Sequence, residues 1–348
     1  MLQKAAEMTL IRVLIVDDSA FARKVMRESL LMSPQIEVVG TARDGIDALE
    51  KIATLRPDVV TLDLVMPNLD GLGVLAALTP EQRARVVVVS MADGETDIGI
   101  SALGFGVFDL VHKPTALAVA SLHDIARELV AKVLLAAAQP RNRSAPASAA
   151  PRAPSPLRAE SDKVVLIGTS TGGPQALTRI LKELPAEFPA PIAMVLHIPP
   201  GYTGPLAERL DAECAIEVLE AHNGLELRPG RAILALGGMH LRFVANGSSV
   251  SVALDAEPSD SVHRPSVDVL FQSAAAVLGK RALGVVLTGM GDDGLIGARA
   301  ISAAGGQIIT EAESSCVVYG MPRVVKEAGL SSAEATLEQI VAEISSRL

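Results

Sequence analysis

Ser170 lies where an apolar run of the sequence gives way to a turn of small residues. The run Gly-Thr-Ser-Thr-Gly (168–172) matches a nucleophile elbow, in which glycines permit a sharp strand-to-helix turn that exposes one hydroxyl. Such a hydroxyl lies beside the N–H groups of a helix N-terminus, which can stabilise an oxyanion. The alternative is an ordinary glycine-rich loop in which Ser170 serves as the helix N-cap.

A catalytic serine needs a general base, and the base needs an orienting carboxylate. His197 closes a predicted strand, although an isolated histidine there is more often structural. Asp292 and Asp293 follow another predicted strand, where the dipole of the next helix alone would favour acids. The sequence therefore offers the groups of a Ser-His-Asp triad at strand ends, with a structural alternative for each.

Residues 289–294 also permit a dinucleotide-binding interpretation. They spell Gly-x-Gly-x-x-Gly after a strand, with Glu311 or Glu313 near the spacing of a ribose ligand. Two carboxylates inside the loop would repel a pyrophosphate, which argues against this interpretation. A similar pattern at 71–76 follows a Pro-Asn-Leu-Asp loop instead of a strand and is discarded.

A second set of chemical groups lies in the first third of the chain. Asp17 and Asp18 end the first predicted strand, Asp63 ends the third, Ser90 ends the fourth and Lys113 follows the last. In a doubly wound sheet these positions meet at the carboxyl edge. Crowded carboxylates favour Mg²⁺, while the lysine and serine suit phosphoryl oxygens, so transfer of a phosphoryl group to Asp63 is indicated. Any one of these acids alone could be a solvated loop residue.

Composition indicates two α/β domains. The 348 residues are 49% hydrophobic but only 2% aromatic, so the cores must consist of small aliphatic side chains, as in parallel sheets covered by helices. The Pro-, Ala- and Arg-rich residues 136–161 predict a disordered linker between domains at 10–135 and 162–348.

Charge and cysteine content limit the classes of function. The net charge of −9 argues against nucleic-acid binding. Two cysteines, Cys214 and Cys316, cannot form a disulfide framework and suit a reducing compartment. We find no signal peptide and no membrane-spanning run in the sequence, so we expect a cytoplasmic protein with no direct membrane insertion.

Strand and helix patterns alternate in both domains, which predicts two doubly wound parallel sheets. In the first domain we expect strands at 11–16, 37–41, 59–62, 86–90 and 109–112. In the second we expect them at 163–167, 192–197, 232–236, 241–244, 283–287 and 306–310. Helices are expected after Pro174, Thr203, Pro265, Gly294 and Pro322, with a final amphipathic helix at 335–348.

The first domain resembles a response-regulator receiver domain, which has a flavodoxin-like fold. The resemblance rests on Asp-Asp-Ser (17–19), Asp-Leu-Val-Met-Pro-Asn-Leu-Asp-Gly (63–71) and His-Lys-Pro (112–114). It implies that Asp63 accepts the phosphoryl group and that Ser90 and Lys113 sense it. It also implies a Mg²⁺ site formed by Asp17, Asp18, Asp63 and the backbone carbonyl of Val65. Phe108 falls at the family's aromatic switch position, where it lacks a hydroxyl.

The second domain resembles the catalytic domain of the protein-glutamate methylesterase of bacterial chemotaxis, the CheB family, a Rossmann-like three-layer fold. The motifs are Gly-Thr-Ser-Thr-Gly-Gly (168–173), His-Ile-Pro-Pro-Gly-Tyr-Thr (197–203), His-Arg-Pro-Ser-Val-Asp (263–268), Thr-Gly-Met-Gly-Asp-Asp-Gly (288–294) and Val-Val-Tyr-Gly-Met-Pro (317–322). The resemblance implies Ser170 as nucleophile, His197 as base and Asp293 as orienting acid, with backbone N–H groups of Thr171 and Met290 as the oxyanion hole. Leu236 departs from the family's usual proline.

This resemblance implies hydrolysis of glutamate methyl esters on chemoreceptors, giving glutamate and methanol, and also deamidation of receptor glutamines. A chemotaxis histidine kinase would phosphorylate Asp63 and thereby release the esterase site, which would need no cofactor of its own. Two other classes remain: a binding module that has lost activity, and a DNA-binding regulator, which the missing basic helix disfavours. If the protein were instead a nicotinamide-dependent enzyme, its activity would be retained after removal of the Ser170 hydroxyl.

Overall fold

The computed structural model describes residues 10–83, 85–90, 96–113, 122–138, 161–247, 249–258 and 261–348. The chain divides into two compact units, Met1–Ser144 and Ala145–Leu348. Most of the predicted linker at 136–161 lies outside the described residues, and residues 136–138 belong to a helix. The domain boundaries that we inferred from the sequence remain predictions.

The first unit contains a parallel sheet whose strand order is β2-β1-β3-β4-β5. Its strands are β1 (Ile11–Val16), β2 (Ile36–Ala42), β3 (Val59–Leu62), β4 (Val86–Ser90) and β5 (Asp109–His112). Its helices are α1 (Ala20–Leu30), α2 (Gly45–Leu55), α3 (Gly71–Ala77), α4 (Pro80–Arg83), α5 (Thr96–Gly104) and α6 (Leu122–Ala138). This is the flavodoxin-like order, so the prediction of a doubly wound parallel sheet is confirmed.

Side-chain caps begin several of these helices. Ser19 accepts a hydrogen bond from the Ala22 N–H at the start of α1, and Asp70 accepts one from the Gly73 N–H at the start of α3. Asp70 is the N-cap of α3 and follows a loop. Residues 71–76 therefore do not follow a strand, which agrees with discarding the dinucleotide pattern there.

The second unit contains a parallel sheet of seven strands in the order β14-β13-β12-β6-β7-β9-β8, and an antiparallel hairpin, β10-β11. The strands are β6 (Val164–Thr169), β7 (Ile192–Leu196), β8 (Glu217–Glu220), β9 (Arg231–Leu234), β10 (His240–Asn246), β11 (Ser249–Asp255), β12 (Ala282–Val286), β13 (Gln307–Glu311) and β14 (Ala333–Ala335). The helices are α7 (Gly173–Lys182), α8 (Thr203–Glu213), α9 (Val267–Leu278), α10 (Leu295–Ala303), α11 (Met321–Glu327) and α12 (Ile340–Ser345).

The predicted final helix at 335–348 is wrong in extent. Ala333–Ala335 instead form the edge strand β14, in register with Ile309–Glu311 of β13, and only Ile340–Ser345 are helical. Pairing with a buried neighbouring strand outweighs the helical preference of the Ala-Glu-Ala sequence of this segment. The strands β8, β11 and β14 were not predicted: β8 and β14 have only four and three residues, whereas the alternating pattern of β11 was available in the sequence and was missed.

Lys132 ties α6 to the sheet of the first unit. Its ammonium group lies 3.2 Å from the Asp109 carboxylate and 2.9 Å from that of Glu128, and it donates a 2.6 Å hydrogen bond to the Leu110 carbonyl. Burial would lower the pKa of Lys132, but the two carboxylates outweigh burial and raise it. No helix in the described part of the chain has the length and apolarity needed to cross a membrane.

We expect Lys132→Met to reduce the free energy of unfolding of the first unit by about 3 kcal/mol, because the substitution leaves the buried Asp109 carboxylate without its cation. Urea-dependent hydrogen exchange of the β5 and α6 peptides in the full-length chain measures the loss. The matched control is Lys24→Met, since Lys24 is 74% exposed and lies 3.9 Å from Glu28. It should cost less than about 0.5 kcal/mol. Equal effects of the two substitutions would contradict a stabilising role for Lys132.

Candidate active site and acidic pocket

The three elements that carry the predicted triad meet at the middle of the seven-stranded sheet. Strand β6 lies between β12 and β7. The strands that follow β6 in the chain are added on one side of it, and those that follow β12 are added on the other side. In parallel sheets, a crevice at the carboxyl ends of the strands forms at such a point. The Ser170 N–H donates to the Thr288 carbonyl at 3.1 Å, and the His197 N–H donates to the Thr169 carbonyl at 3.2 Å. Backbone pairing therefore places the turns after β6, β7 and β12 side by side.

The turn after β6 presents Ser170 without using its hydroxyl for structure. Helix α7 has Gly172 as its N-cap and no side-chain capping bond, so the interpretation of Ser170 as an N-cap is wrong. Gly172 has a φ of +82°, and a Cβ there would lie 2.7 Å from the Val317 Cβ, so the turn requires glycine. Within the described residues, the half-buried Ser170 hydroxyl makes no hydrogen bond.

His197 and Asp293 form a close, largely buried pair. The His197 Nε2 lies 2.7 Å from the Asp293 Oδ2, and the side chains are 7% and 9% exposed. The other ring nitrogen, Nδ1, is buried and has no hydrogen-bond partner in the part of the chain that the structure describes. Nδ1 is therefore the ring nitrogen of His197 that remains available for a hydrogen bond to another group.

The Asp293 carboxylate is held by the N-terminus of α9 as well as by His197. Its Oδ1 accepts hydrogen bonds from the Ser266 hydroxyl and the Asp268 N–H, both at 2.9 Å, and its Oδ2 accepts one from the Val267 N–H at 2.7 Å. Burial alone would raise the pKa of Asp293, but His197 and these N–H groups outweigh burial and hold that pKa well below its ordinary value. Asp293 is therefore ionised at neutral pH.

Two backbone N–H groups beside Ser170 are left for a ligand. In the described residues, neither the Thr171 N–H nor the Met290 N–H donates a hydrogen bond. The turn after β12 approaches Ser170 closely, since a Cβ on Gly289 would lie 2.9 Å from the Ser170 Cβ. A side chain at position 289 would therefore separate Met290 from Ser170.

Glu311 cannot serve as the ribose ligand that the dinucleotide interpretation needs. Its side chain is fully buried, and it accepts hydrogen bonds from the Thr288 N–H at 2.8 Å and the Ser315 hydroxyl at 2.9 Å. Burial raises the pKa of Glu311. Glu311 thus supports the turn after β12 from within the protein.

The structure also brings together residues to which sequence reasoning assigned no role. The His263 ring stacks on the His197 ring with centroids 3.9 Å apart and an angle of 15° between the planes. Ser266 and Asp268 contact Asp293 or the helix after it. All three residues belong to the motif at 263–268. The match of this motif to the family indicated that the segment matters for function, but it did not show which atoms face the site.

The acidic residues of the first unit converge as predicted. One carboxylate oxygen from each of Asp17, Asp18 and Asp63 lies within 4.8 Å of the others. The Lys113 ammonium group lies 2.6 Å from the Asp63 Oδ2 and 3.0 Å from the Asp17 Oδ2. Asp17, Asp63 and Lys113 are buried, whereas Asp18 is exposed. The pocket therefore combines a potential cation site with a fixed cation next to Asp63.

Burial and pairing set the protonation of this pocket. Burial raises the pKa of Asp17, an effect that Lys113 opposes, and the two carboxylates raise the pKa of Lys113 against its own burial. The Asp17 Oδ2 is buried and pairs with the Lys113 ammonium group at 3.0 Å. The donor set consists of carboxylate oxygens that lie within 4.8 Å of one another, and such oxygen ligands fit Mg²⁺.

The other predicted residues of this pocket also lie at the sheet edge. Val65 is exposed, and its N–H donates to the Asp63 Oδ1 at 3.4 Å. Ser90 ends β4 and is buried, and the Lys113 N–H donates to its carbonyl at 2.8 Å. Phe108 is buried just before β5.

Comparisons with known proteins agree with both halves of the chain. The response regulator receiver domain family matches residues 13–125, and the CheB methylesterase family matches residues 165–344. A protein-glutamate methylesterase/protein-glutamine glutaminase of Myxococcus xanthus is 58% identical over 95% of this chain and 96% of its own length. One from Geobacillus kaustophilus is 42% identical over 97% and 98%. The crystal structure of the Thermotoga maritima CheB methylesterase catalytic domain is 40% identical, with a TM-score of 0.53, and covers 54% of this chain and 100% of that one.

The fold and the site thus define a response regulator whose receiver domain is joined to an ester hydrolase domain of parallel α/β architecture. The prediction of two such domains is confirmed. The chain belongs to the CheB methylesterase family of enzymes.

The raised pKa of Asp268 should make the free energy of unfolding of the protein decrease as the pH rises. Burial, assisted by the charge of Asp293, raises the pKa of Asp268 from 3.8 to about 6 against the hydrogen bond from the Gly297 N–H. A raised pKa in the folded state means that Asp268 contributes stability below pH 3.8, which is lost as the pH rises through about 6.

We therefore expect the free energy of unfolding of the wild type, relative to that of Asp268→Asn, to fall between pH 4 and pH 7, because the amide of the variant does not titrate. Urea unfolding of both proteins at several pH values, followed by far-UV circular dichroism, measures this difference. A pH-independent difference would show that the carboxyl does not bind a proton more tightly in the folded state.

Proposed function

We propose that this protein hydrolyses the γ-methyl esters of glutamate residues on chemoreceptors, with Ser170 as nucleophile, His197 as general base and Asp293 as the carboxylate that orients the base. The observation that carries the proposal is the 2.7 Å contact between His197 and Asp293 at the strand ends, together with a Ser170 hydroxyl on the neighbouring strand that makes no hydrogen bond within the described residues. The names of the relatives, protein-glutamate methylesterase/protein-glutamine glutaminase, support this substrate class.

The reaction proceeds by acyl transfer in two steps. The Ser170 oxygen attacks the ester carbonyl while its proton passes to His197. The C–O bond to the methoxy group then breaks, and the methoxy oxygen takes that proton and leaves as methanol. Water attacks the acyl-enzyme, again giving a proton to His197, and breakdown of the second tetrahedral intermediate restores Ser170 and releases glutamate. With a glutamine substrate, ammonia leaves in place of methanol.

Charge develops on two groups in these steps, and the site offers a partner for each. The oxyanion is stabilised by the N–H groups of Thr171 and Met290, which are otherwise without acceptors in the described residues. The imidazolium form of His197 is stabilised by Asp293, whose charge is maintained by the N-terminus of α9. The esterase chemistry thus needs no metal or organic cofactor.

The receiver domain would regulate the esterase domain through phosphorylation of Asp63 by a histidine kinase. An Asp63 oxygen attacks the phosphorus atom of the donor, and the bond to the donor's leaving group breaks. Mg²⁺, held by Asp17, Asp18, Asp63 and the Val65 carbonyl, would neutralise phosphoryl charge. Lys113 would pair with a phosphoryl oxygen in place of the Asp63 Oδ2, and Ser90 would donate a hydrogen bond to another. The added charge of about −1.5 to −2 would change the surface of the receiver domain and thereby raise the activity of the esterase domain.

A cytoplasmic location is part of the same proposal, since both cysteines are free and the kinase and receptor methylation sites implied by the family resemblance are cytoplasmic. A binding module without activity is the second candidate. The buried, hydrogen-bonded Asp293 disfavours it, because an ionised carboxylate is costly to bury and would not be needed in a docking domain.

We expect Ser170→Ala to lower methanol release from methylated chemoreceptor membranes by at least about 10³-fold, because triad residues act as a unit. Glutamine deamidation on the same membranes should fall in parallel, since both reactions pass through the Ser170 ester. The matched control is Ser302→Ala, at an exposed serine of α10, which should release methanol at the wild-type rate. Release that survives Ser170→Ala would rule out the triad, and no release by the wild type would favour the binding module.

We expect a small acyl phosphate and Mg²⁺ together to label the wild-type receiver and to increase methanol release, and Asp63→Asn to abolish both effects. The reason is that an amide cannot form the acyl phosphate. The control is Asp58→Asn, since the Asp58 carboxylate accepts a hydrogen bond from the Arg12 N–H and an amide oxygen can replace it. Labelling of Asp63 without any change in methanol release would support phosphorylation and rule out its regulation of the esterase.

A chain that begins after residue 150 should release methanol without the phosphodonor if the receiver domain inhibits the esterase domain.

A further inference from the structure

The helices α9 and α10 cap each other's N-termini across the active site. Asp293, which precedes α10, accepts hydrogen bonds from the first N–H groups of α9, those of Val267 and Asp268. In return, the Asp268 Oδ1 in the first turn of α9 accepts a hydrogen bond from the Gly297 N–H of α10 at 2.6 Å. The two carboxylates thus satisfy N–H groups that each helix would otherwise leave without an acceptor.

Helix α10 depends on this exchange because it has no cap of its own. Its N-cap residue is Gly294, which has no side chain to accept a hydrogen bond. An N-cap side chain normally bonds to the N–H two or three positions further on, and Gly297 is the third residue after Gly294. Asp268 therefore supplies, from the neighbouring helix, the acceptor that α10 lacks.

The contact between the two helices leaves little freedom for either partner. A Cβ at Gly297 would lie 3.1 Å from the Cα and from the carbonyl oxygen of Asp268, so the backbones approach closely. Asp293 is separated from α10 only by Gly294, whose φ is +99°. The direction from which Asp293 reaches His197 is thus set by where the first turn of α10 lies.

We propose that Asp268 is a positioning residue of the esterase site: by holding the first turn of α10, it fixes the Asp293 carboxylate against the Nε2 of His197. Asp268 does not touch the substrate or the reacting atoms in this proposal, which rests on the triad proposed above. Displacement of a catalytic group by about 1 Å costs on the order of 10²-fold in rate.

The test compares Asp268→Ala, which removes the acceptor, with Asp268→Asn, which keeps an oxygen of the same shape, in the full-length chain at pH 8. We expect Asp268→Ala to lower kcat about 10- to 100-fold with little change in KM, because binding does not depend on the contact. Asp268→Asn should retain kcat within about threefold of the wild type. The matched control is Asp211→Ala, which removes a carboxylate that accepts the Val218 N–H at 2.8 Å elsewhere in this domain.

A second readout needs no substrate. The proton between His197 and Asp293 should give a strongly downfield proton NMR signal, which disappears in His197→Gln. We expect that signal to shift or broaden in Asp268→Ala and to persist in Asp268→Asn and Asp211→Ala. Because the signal is independent of turnover, it separates failure of this proposal from failure of the esterase assignment, which the dependence on Ser170 decides.

Each outcome bears on the proposal. An unchanged kcat and an unchanged downfield signal in Asp268→Ala would overturn it. Equal loss in Asp268→Ala and Asp268→Asn would overturn it as well, since charge and not the hydrogen-bond acceptor would then matter. If Asp268→Ala does not fold, a loss of kcat in Asp268→Asn greater than threefold with a shifted signal would also reject it.

Discussion

A single buried carboxylate organises the catalytic half of this protein. Asp293 is 9% exposed, and an ionised carboxylate in such a place costs several kcal/mol unless hydrogen bonds replace the lost water. Here the donors are His197, the Ser266 hydroxyl and two N–H groups at the start of α9. The positions of α9, of the turn before α10 and of the His197 ring are therefore linked, and a change in one alters the others.

Both domains use the same geometric device for different chemistry. In each sheet the functional groups gather at the carboxyl ends of the strands, around the point where the chain changes direction, between β1 and β3 in the receiver and between β6 and β12 in the esterase. The receiver edge gathers carboxylates around Lys113, which suits a metal ion and a phosphoryl group. At the esterase edge the Asp293 carboxylate contacts His197, and the N–H groups of Thr171 and Met290 have no acceptor among the described residues, which suits a developing oxyanion.

Much of both sites could be predicted because motifs at strand ends have a fixed destination. Once alternating strands and helices indicate a parallel sheet, Asp17, Asp63 and Lys113 must reach one edge, and the structure places them within ion-pair distance. The same reasoning brought His197 to the strand next to that of Ser170. The extent of the last helix was not predictable in this way, because the edge strand Ala333–Ala335 forms only by pairing with β13.

The sequence by itself determined the two-domain α/β architecture, the family and the residue types that can react, since these depend on local periodicity and on motifs read in order. Only the tertiary structure decided that Asp293 meets the Nε2 of His197, that His263 stacks on that ring, and that Asp268 caps the helix after Asp293. The physical reason is that these contacts join segments far apart along the chain, and their atoms are selected by how α9 and α10 pack, which no local pattern encodes.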